Sequence, residues 1–138
     1  MAQRTMQLTE EQRRFLDENA FVGVLTTLRA DGSPHSTVVW VDVLDDGAPS
    51  FNTETGRAKP RHIENDPRVS LLVVDPQDPL RWVSIAGLAE MTMEGADEQI
   101  DKLAKKYLGE DEYPWGNPEA QRLCVRIRPD HVEATGLT

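Results

Sequence analysis

Three runs decide the fold: Phe21-Val22-Gly23-Val24-Leu25-Thr26-Thr27-Leu28, then Asp31-Gly32, then His35-Ser36-Thr37-Val38-Val39-Trp40-Val41-Asp42-Val43-Leu44. In the first run Val22, Val24, Thr26 and Leu28 alternate with Phe21, Gly23, Leu25 and Thr27. Both faces are fairly apolar, the pattern of a strand buried on two sides. Asp31-Gly32 supplies a turn, because glycine tolerates positive φ. The chain returns with Val39, Val41 and Val43 on one face and Val38 and Trp40 on the other. Asp45-Asp46-Gly47 turns it again, into a third short strand over 50–53. Sequential hairpins of this kind predict an antiparallel meander.

Working outward, Thr9 precedes Gln12 by three residues, the spacing at which a cap and the third helical residue satisfy each other's backbone donors. This predicts a short helix with Phe15 and Leu16 on its apolar edge. Downstream, Gly56 interrupts the meander. A second short helix follows, with Pro60 tolerated in its first turn and Asp66-Pro67 ending it. Residues 69–74 form a compact β-branched strand, 75–79 a loop, and 81–94 a long strand. Gly87 within that strand marks a bulge or a close backbone approach. Ile100, Leu103, Ala104, Tyr107 and Leu108 then recur at helical spacing from a start near Asp97. Gly109 stops that helix, and a polar, turn-rich stretch over 110–118 carries Tyr113 and Trp115. A last strand over 123–127, continued around Val132, closes the chain.

About six strands, mostly meandering, with helices between them, predict a mainly β (α+β) fold: a small barrel with peripheral helices. Closure pairs edges that would otherwise attract partners, which favours a barrel over a sandwich. The length of 138 residues predicts a single domain over 1–138. Fifteen Lys and Arg against 24 Asp and Glu give a net charge of −9. That balance argues against nucleic acid and anionic membranes as partners, since both are held by basic excess. No apolar run approaches the ~20 residues of a bilayer span. Residues 1–6 do not read as a signal peptide, so the cytoplasm is the expected compartment. A lone cysteine, Cys124, excludes an intrachain disulfide, and His35, His62 and His131 are scattered, so no metal site is expected.

The chemistry gathers in Thr53-Glu54-Thr55-Gly56-Arg57-Ala58-Lys59-Pro60-Arg61-His62. Arg57, Lys59, Arg61 and Arg68 face only Glu64 and Asp66 over 57–68, and the rest of the chain keeps 11 basic against 22 acidic residues. A helix start carries partial positive charge, so cations there are unfavourable by ~0.3–1 kcal/mol each. A phosphate reverses that sign, accepting free N–H groups while Arg57 and Lys59 neutralise it. The hydroxyls of Thr53 and Thr55 flank the same place, and Gly56 permits close approach. The alternative is a solvated cluster paired with Glu54, Glu64 and Asp66. No P-loop and no G-x-G-x-x-G is present, so this reading ends at a phosphate or carboxylate ligand.

The order Gly23-Val24-Leu25-Thr26-Thr27, Asp31-Gly32-Ser33-Pro34-His35, Val39-Trp40-Val41, Gly56-Arg57-Ala58-Lys59 and Asp66-Pro67-Arg68-Val69-Ser70-Leu71 resembles the pyridoxamine 5'-phosphate oxidase-like split β-barrel superfamily. Within it the chain is similar to the branch that uses the deazaflavin coenzyme F420 in place of FMN. The resemblance implies that Arg57-Ala58-Lys59 holds the cofactor phosphate. It also implies that Thr37, Val38, Val39, Asn52 and Thr53 run along the flavin, and that a homodimer completes each site at its interface.

The implied activity is an F420-dependent reductase moving a hydride between the deazaflavin and a small organic substrate. An FMN-dependent oxidase or reductase and a non-catalytic flavin carrier are the alternatives. Trp40 and Trp82 read as core or interface residues. Tyr113 and Trp115 read as a lid over a ring system, or as an anchor for their loop. Arg122, Arg126 and Arg128 share one face of the last strand, either solvated or meeting an acidic tail. His35 and His62 lack the setting of a serine relay. Cys124, in a strand, reads as an inert buried thiol. No catalytic nucleophile is assigned.

Overall fold

A computed structural model describes residues 6–137, so residues 1–5 and 138 of the expected 1–138 unit lie outside the described residues. The elements run α1 (Glu10–Asp17), β1 (Gly23–Leu28), β2 (Pro34–Val39), β3 (Asp42–Val43), β4 (Pro49–Glu54), α2 (Ala58–Asn65), β5 (Arg68–Asp75), β6 (Asp78–Thr92), α3 (Ala96–Leu108) and β7 (Arg122–Thr135). Seven strands pair antiparallel in the order β2-β1-β5-β6-β7-β4-β3.

The two outermost strands, β2 and β3, are neighbours in the chain, separated only by Trp40 and Val41. In a flat sheet they would stand about 29 Å apart at ~4.8 Å per strand. Three peptide steps reach about 11 Å at most. The sheet therefore curls until its ends meet, which makes it a split barrel and excludes the sandwich. Inside the curl, Leu25, Leu71 and Ile85 stand opposite one another across β1, β5 and β6, with Phe51 against Val125 beyond. All five are fully buried, and side chains of this size each stabilise by ~1.5–3 kcal/mol when withdrawn from water.

Local signals hold where they are local. Thr9 caps α1 through the predicted reciprocal pair, the Gln12 N–H donating to Thr9 Oγ1 at 3.1 Å and the Thr9 N–H to Gln12 Oε1 at 2.9 Å. A Cβ on Gly87 would lie 2.1 Å from the Arg128 carbonyl oxygen, so only glycine fits where β6 slips register against β7.

Six expectations are corrected. The run over 35–44 is not one strand but breaks at Trp40-Val41. The third strand, β4, pairs mainly with β7 and touches the meander only through the two residues of β3. The first strand is not buried on both sides: Val24 is 41 % exposed, directly opposite exposed Val38 and Leu72. The loop over 75–79 is a tight hairpin in which Asp75 pairs with Asp78. The last two segments are one strand of 14 residues. On α3 the stripe is buried at Ile100, Leu103 and Ala104, but Leu108 is exposed and polar Gln99 is buried.

Candidate functional site

The helix α2 begins as the charge pattern predicts. Gly56 takes φ +88, and Arg57 at the cap is extended and makes no side-chain cap. No acid lies in the first turn. Arg57 reaches back to Glu54, donating Nε–H to Oε1 at 2.8 Å with Nη2 at 2.7 Å. Glu54 is buried, and Arg122 Nη2 approaches its other oxygen at 3.7 Å. Lys59 is half-buried and has no hydrogen-bond or ion-pair partner among the described residues. Burial, and then the Arg57 charge, hold its ammonium below the ordinary lysine value. A desolvated cation without a counter-ion at a helix start is a place prepared for an anion.

Arg57 and Lys59 line a cleft of about 170 Å³ together with Val38, Val39, Asn52 and Thr53. Six of the eight expected cofactor residues thus meet around one hollow. Thr37 and Ala58 do not line it: Thr37 lies next to Val38 on β2, and Ala58 is the first residue of α2. The other wall is Ile100 and Leu103 of α3 with Trp40, Tyr113, Trp115 and Arg122.

Polar atoms around this cleft are incompletely satisfied. Thr53 Oγ1 and Thr37 Oγ1 nearby are buried with no hydrogen-bond partner, and buried Arg122 Nη2 has only its 3.7 Å ion pair with Glu54 and no hydrogen bond. Buried hydroxyls and guanidinium nitrogens are normally paired, and leaving one unpaired costs about 1–3 kcal/mol. A bound ligand with acceptor oxygens would satisfy them. Thr55, the other flanking hydroxyl, is already engaged, accepting the Gln121 N–H at 3.0 Å.

The aromatic side is ordered unevenly. Tyr113 is fixed: its N–H donates to Asp101 Oδ1 at 2.9 Å, the Arg122 guanidinium lies 4.6 Å from its ring centre, and Trp40 packs edge-on at 5.9 Å. Trp115 packs edge-on against Tyr113 at 5.8 Å and is 63 % exposed. Tyr113 is therefore wall, and the lid reading narrows to Trp115. Trp82, opposite Val74 on β6, lines no part of the cleft.

Arg126 pairs with Asp46, and Arg128 with Glu90 at 2.9 Å, so neither is a free solvated charge. Arg122 alone of that stripe reaches the site, donating Nη1–H to Asn52 Oδ1 at 3.3 Å. Ile100 and Leu103, read from the sequence as core, also line the cleft. Their role has no local signature, because it depends on where α3 packs.

His35 and His62 sit together, ring centres 5.1 Å apart, with His62 Nδ1 bonded to Thr27 Oγ1 at 2.8 Å and no ion pair to an acid among the described residues. Burial first, then His35, Arg29, Arg61 and Lys59, hold the His62 imidazole below its ordinary value. Cys124 is buried, 3.5 Å from Ser50 Oγ. Among the described residues no cluster of His, Cys, Asp or Glu is suited to a metal, and no helix is long and apolar enough to cross a membrane. A wider groove of about 470 Å³ between α1 and the 45–47 turn alternates acids with arginines and holds no unpartnered buried donor.

A curled antiparallel sheet whose ends meet, with a cationic helix start beside a cleft, is the architecture of a split barrel. The chain belongs to the pyridoxamine 5'-phosphate oxidase family, whose sequence profile matches residues 8–136, and the family is one of flavin-binding oxidoreductases. Among solved structures it is similar to an F420 reductase, at 29 % identity and TM-score 0.73 over 87 % of this chain and 94 % of that one. It is also similar to a conserved hypothetical protein from Mycobacterium tuberculosis, at 26 % and 0.71 over 98 % and 89 %. A putative pyridoxamine 5'-phosphate oxidase from Listeria innocua, at 22 % and 0.66 over 91 % and 98 %, shares the fold. No curated protein sequence matches the chain.

Proposed function

We propose that the protein is an F420-dependent oxidoreductase of the reductase type, moving a hydride between the deazaflavin and a small organic substrate, with the deazaflavin phosphate on Arg57, Lys59 and the first turn of α2. The observation that carries this reading is the half-buried, partnerless Lys59 at a helix start without acids. The likeness to an F420 reductase supports the choice of cofactor. Thr53 Oγ1 and Arg122 Nη2 are donors left for ligand oxygens, and Val38, Val39 and Asn52 form the wall along the ring. The bound deazaflavin supplies the hydride-carrying carbon; the chain binds it, orients it and excludes water. Catalysis of this kind needs no nucleophile, in keeping with inert Cys124 and the relay-free His35 and His62.

One subunit offers about 170 Å³, below the ~300 Å³ from which small-molecule sites begin. A second copy would complete each site. The exposed apolar row of Val38, Val24 and Leu72, with Val22 nearby, suits such a homodimer, and Val38 also lines the cleft.

Titration of the apo protein with coenzyme F420 and with FMN, followed by ligand fluorescence, tests the reading. Saturable F420 binding with weak FMN binding is expected. Tight FMN binding without an F420 response assigns the protein to FMN chemistry. Binding with no reoxidation of reduced cofactor by any of a panel of unsaturated acceptors makes it a carrier.

A further inference from the structure

The break between β2 and β3 leaves the peptide groups of Trp40 and Val41 outside the sheet ladder. Val41 is fully buried, so its N–H and carbonyl need partners from elsewhere. Both come from the last turn of α3. The Val41 N–H donates to the Tyr107 hydroxyl at 2.9 Å, and Lys106 Nζ donates to the Val41 carbonyl at 2.8 Å. The same two side chains reach on to the segment before the sheet. Tyr107 donates its hydroxyl proton to the Phe21 carbonyl at 2.7 Å, and Lys106 donates to the Leu16 carbonyl at 2.6 Å.

Next to this clasp, the Trp40 indole lies parallel on the Tyr107 ring, 5.3 Å between centres and 4° between planes. Trp40 in turn lines the cleft and meets Tyr113 edge-on. One helix turn thus holds a strand break by its backbone and the neighbouring aromatic wall by its ring. From this geometry we infer that Lys106 and Tyr107 are positioning residues: they fix the Val41 peptide and the Trp40 indole, and through Trp40 they set how tightly the cleft holds a planar ring. The inference rests on the proposed flavin-type site for its consequence, but not for the clasp itself.

Two features separate this role from simple packing. Tyr107 has both functions of its hydroxyl committed, so Phe in its place keeps the stacked ring and removes only the clasp. Lys106 is a half-buried ammonium whose two strong bonds go to carbonyls rather than to an acid. The charges acting on it are Asp17 of α1, Asp42 of β3 and Lys102 of its own helix, and burial outweighs them. A methionine would fill the same channel and make neither bond. An arginine would restore donors.

The test uses the full chain with Trp82→Phe and Trp115→Phe, which leaves Trp40 as the sole tryptophan of the three. In that background Tyr107→Phe and Lys106→Met are compared with Lys106→Arg and with Ile127→Val, a core change remote from the corner. Expected for the first two are a red shift and greater acrylamide quenching of Trp40 emission, and faster hydrogen exchange at the Val41 amide. An affinity for FMN and for coenzyme F420 weakened about tenfold is also expected, as befits the loss of one buried hydrogen bond's worth of organisation. Lys106→Arg should recover most of the affinity, and Ile127→Val should lower the melting temperature without moving Trp40. Unchanged Trp40 emission and Val41 exchange in both variants overturn the clasp, whatever the protein binds. A displaced Trp40 with unaltered affinity overturns its role in the site. If the parent protein binds neither probe, the flavin-type reading fails, while the emission and exchange data still decide the clasp.

Discussion

Strand β4 has two faces with opposite polar economies. Toward α3, Ser50 and Asn52 join Gln99 and Asp42 in a closed network. Gln99 donates to Asp42 Oδ2 at 3.0 Å and to Ser50 Oγ at 2.8 Å, while Asn52 donates to Gln99 Oε1 at 3.0 Å and to the Ala96 carbonyl at 2.9 Å. Lys102 supplies the remaining Asp42 oxygen with a donor at 2.7 Å. Toward the interior, the next residue, Thr53, is more deeply buried than Asn52 and its hydroxyl has nothing. A closed network specifies how two elements dock. An open one, kept at a cost, specifies what docks later. The same strand therefore closes one network through Ser50 and Asn52 and leaves one hydroxyl, Thr53, open beside the cleft that Asn52 also lines.

The strongest way to break this contrast is Arg57→Ala with Lys59→Ala. Two charge-assisted bonds to phosphate at ~1.5–3 kcal/mol each predict a loss of cofactor affinity of at least about a hundredfold. Titration against the parent protein measures it, with circular dichroism showing the fold retained. Undiminished affinity would remove the anion site from α2.

Next comes the closed face. Gln99→Leu strips donors from buried Asp42 and Ser50 and should destabilise the protein by about 2–4 kcal/mol. Urea unfolding reads that, and cofactor affinity in the folded protein should move much less.

Thr53→Val sharpens the comparison with an opposite sign. It removes an unpartnered hydroxyl at nearly constant volume, so the apo protein should gain up to ~1 kcal/mol while the ligand loses a partner and binds several-fold more weakly. A destabilised apo protein would mean that the hydroxyl already serves the fold.

The smallest effect is a pH slope. Burial lowers the Lys106 pKa to about 8, against an ordinary value of 10.5. Between those two values the unfolded chain holds a proton that the folded chain has released, so this residue makes stability rise with pH across that window. Below about 8 both states are protonated and the slope vanishes. Tyr107 works the other way, because burial raises its phenol to about 12 and its contribution fades only above pH 10. Urea titrations at several pH values, with and without Lys106→Met, measure the Lys106 slope; an identical slope in the two proteins would contradict it.

The sequence showed the cationic start of α2 clearly because Gly56, Arg57 and Lys59 fall within four residues and their incompatibility with a bare helix start is local. Gly87 and the Thr9–Gln12 cap were legible for the same reason. The break at Trp40-Val41 was not, since Val39, Trp40 and Val41 alternate smoothly. The corner is made by Tyr107, 66 residues away, whose hydroxyl takes a backbone donor no strand partner reaches. The pairing of β4 with β7 was hidden likewise, because the β3–β4 turn suggests a hairpin and nothing nearby reports how briefly it runs. Which of Arg122, Arg126 and Arg128 reaches the cleft, and that Ile100 and Leu103 line it, became visible only when distant elements were packed.

The placement of β7 also dictates when the molecule can assemble. It is the last described strand along the chain, yet it sits between β6 and β4. Until it leaves the ribosome, β4 has only the two-residue β3 for company, and the curl stays open. The non-local pairings that close the sheet must therefore come late, after the anchoring turn at Arg57 and Lys59 has already been synthesised. A nascent chain stalled before residue 122 would carry the cationic turn without the wall opposite it, so ligand capture during translation should be absent and should begin abruptly once the final strand docks.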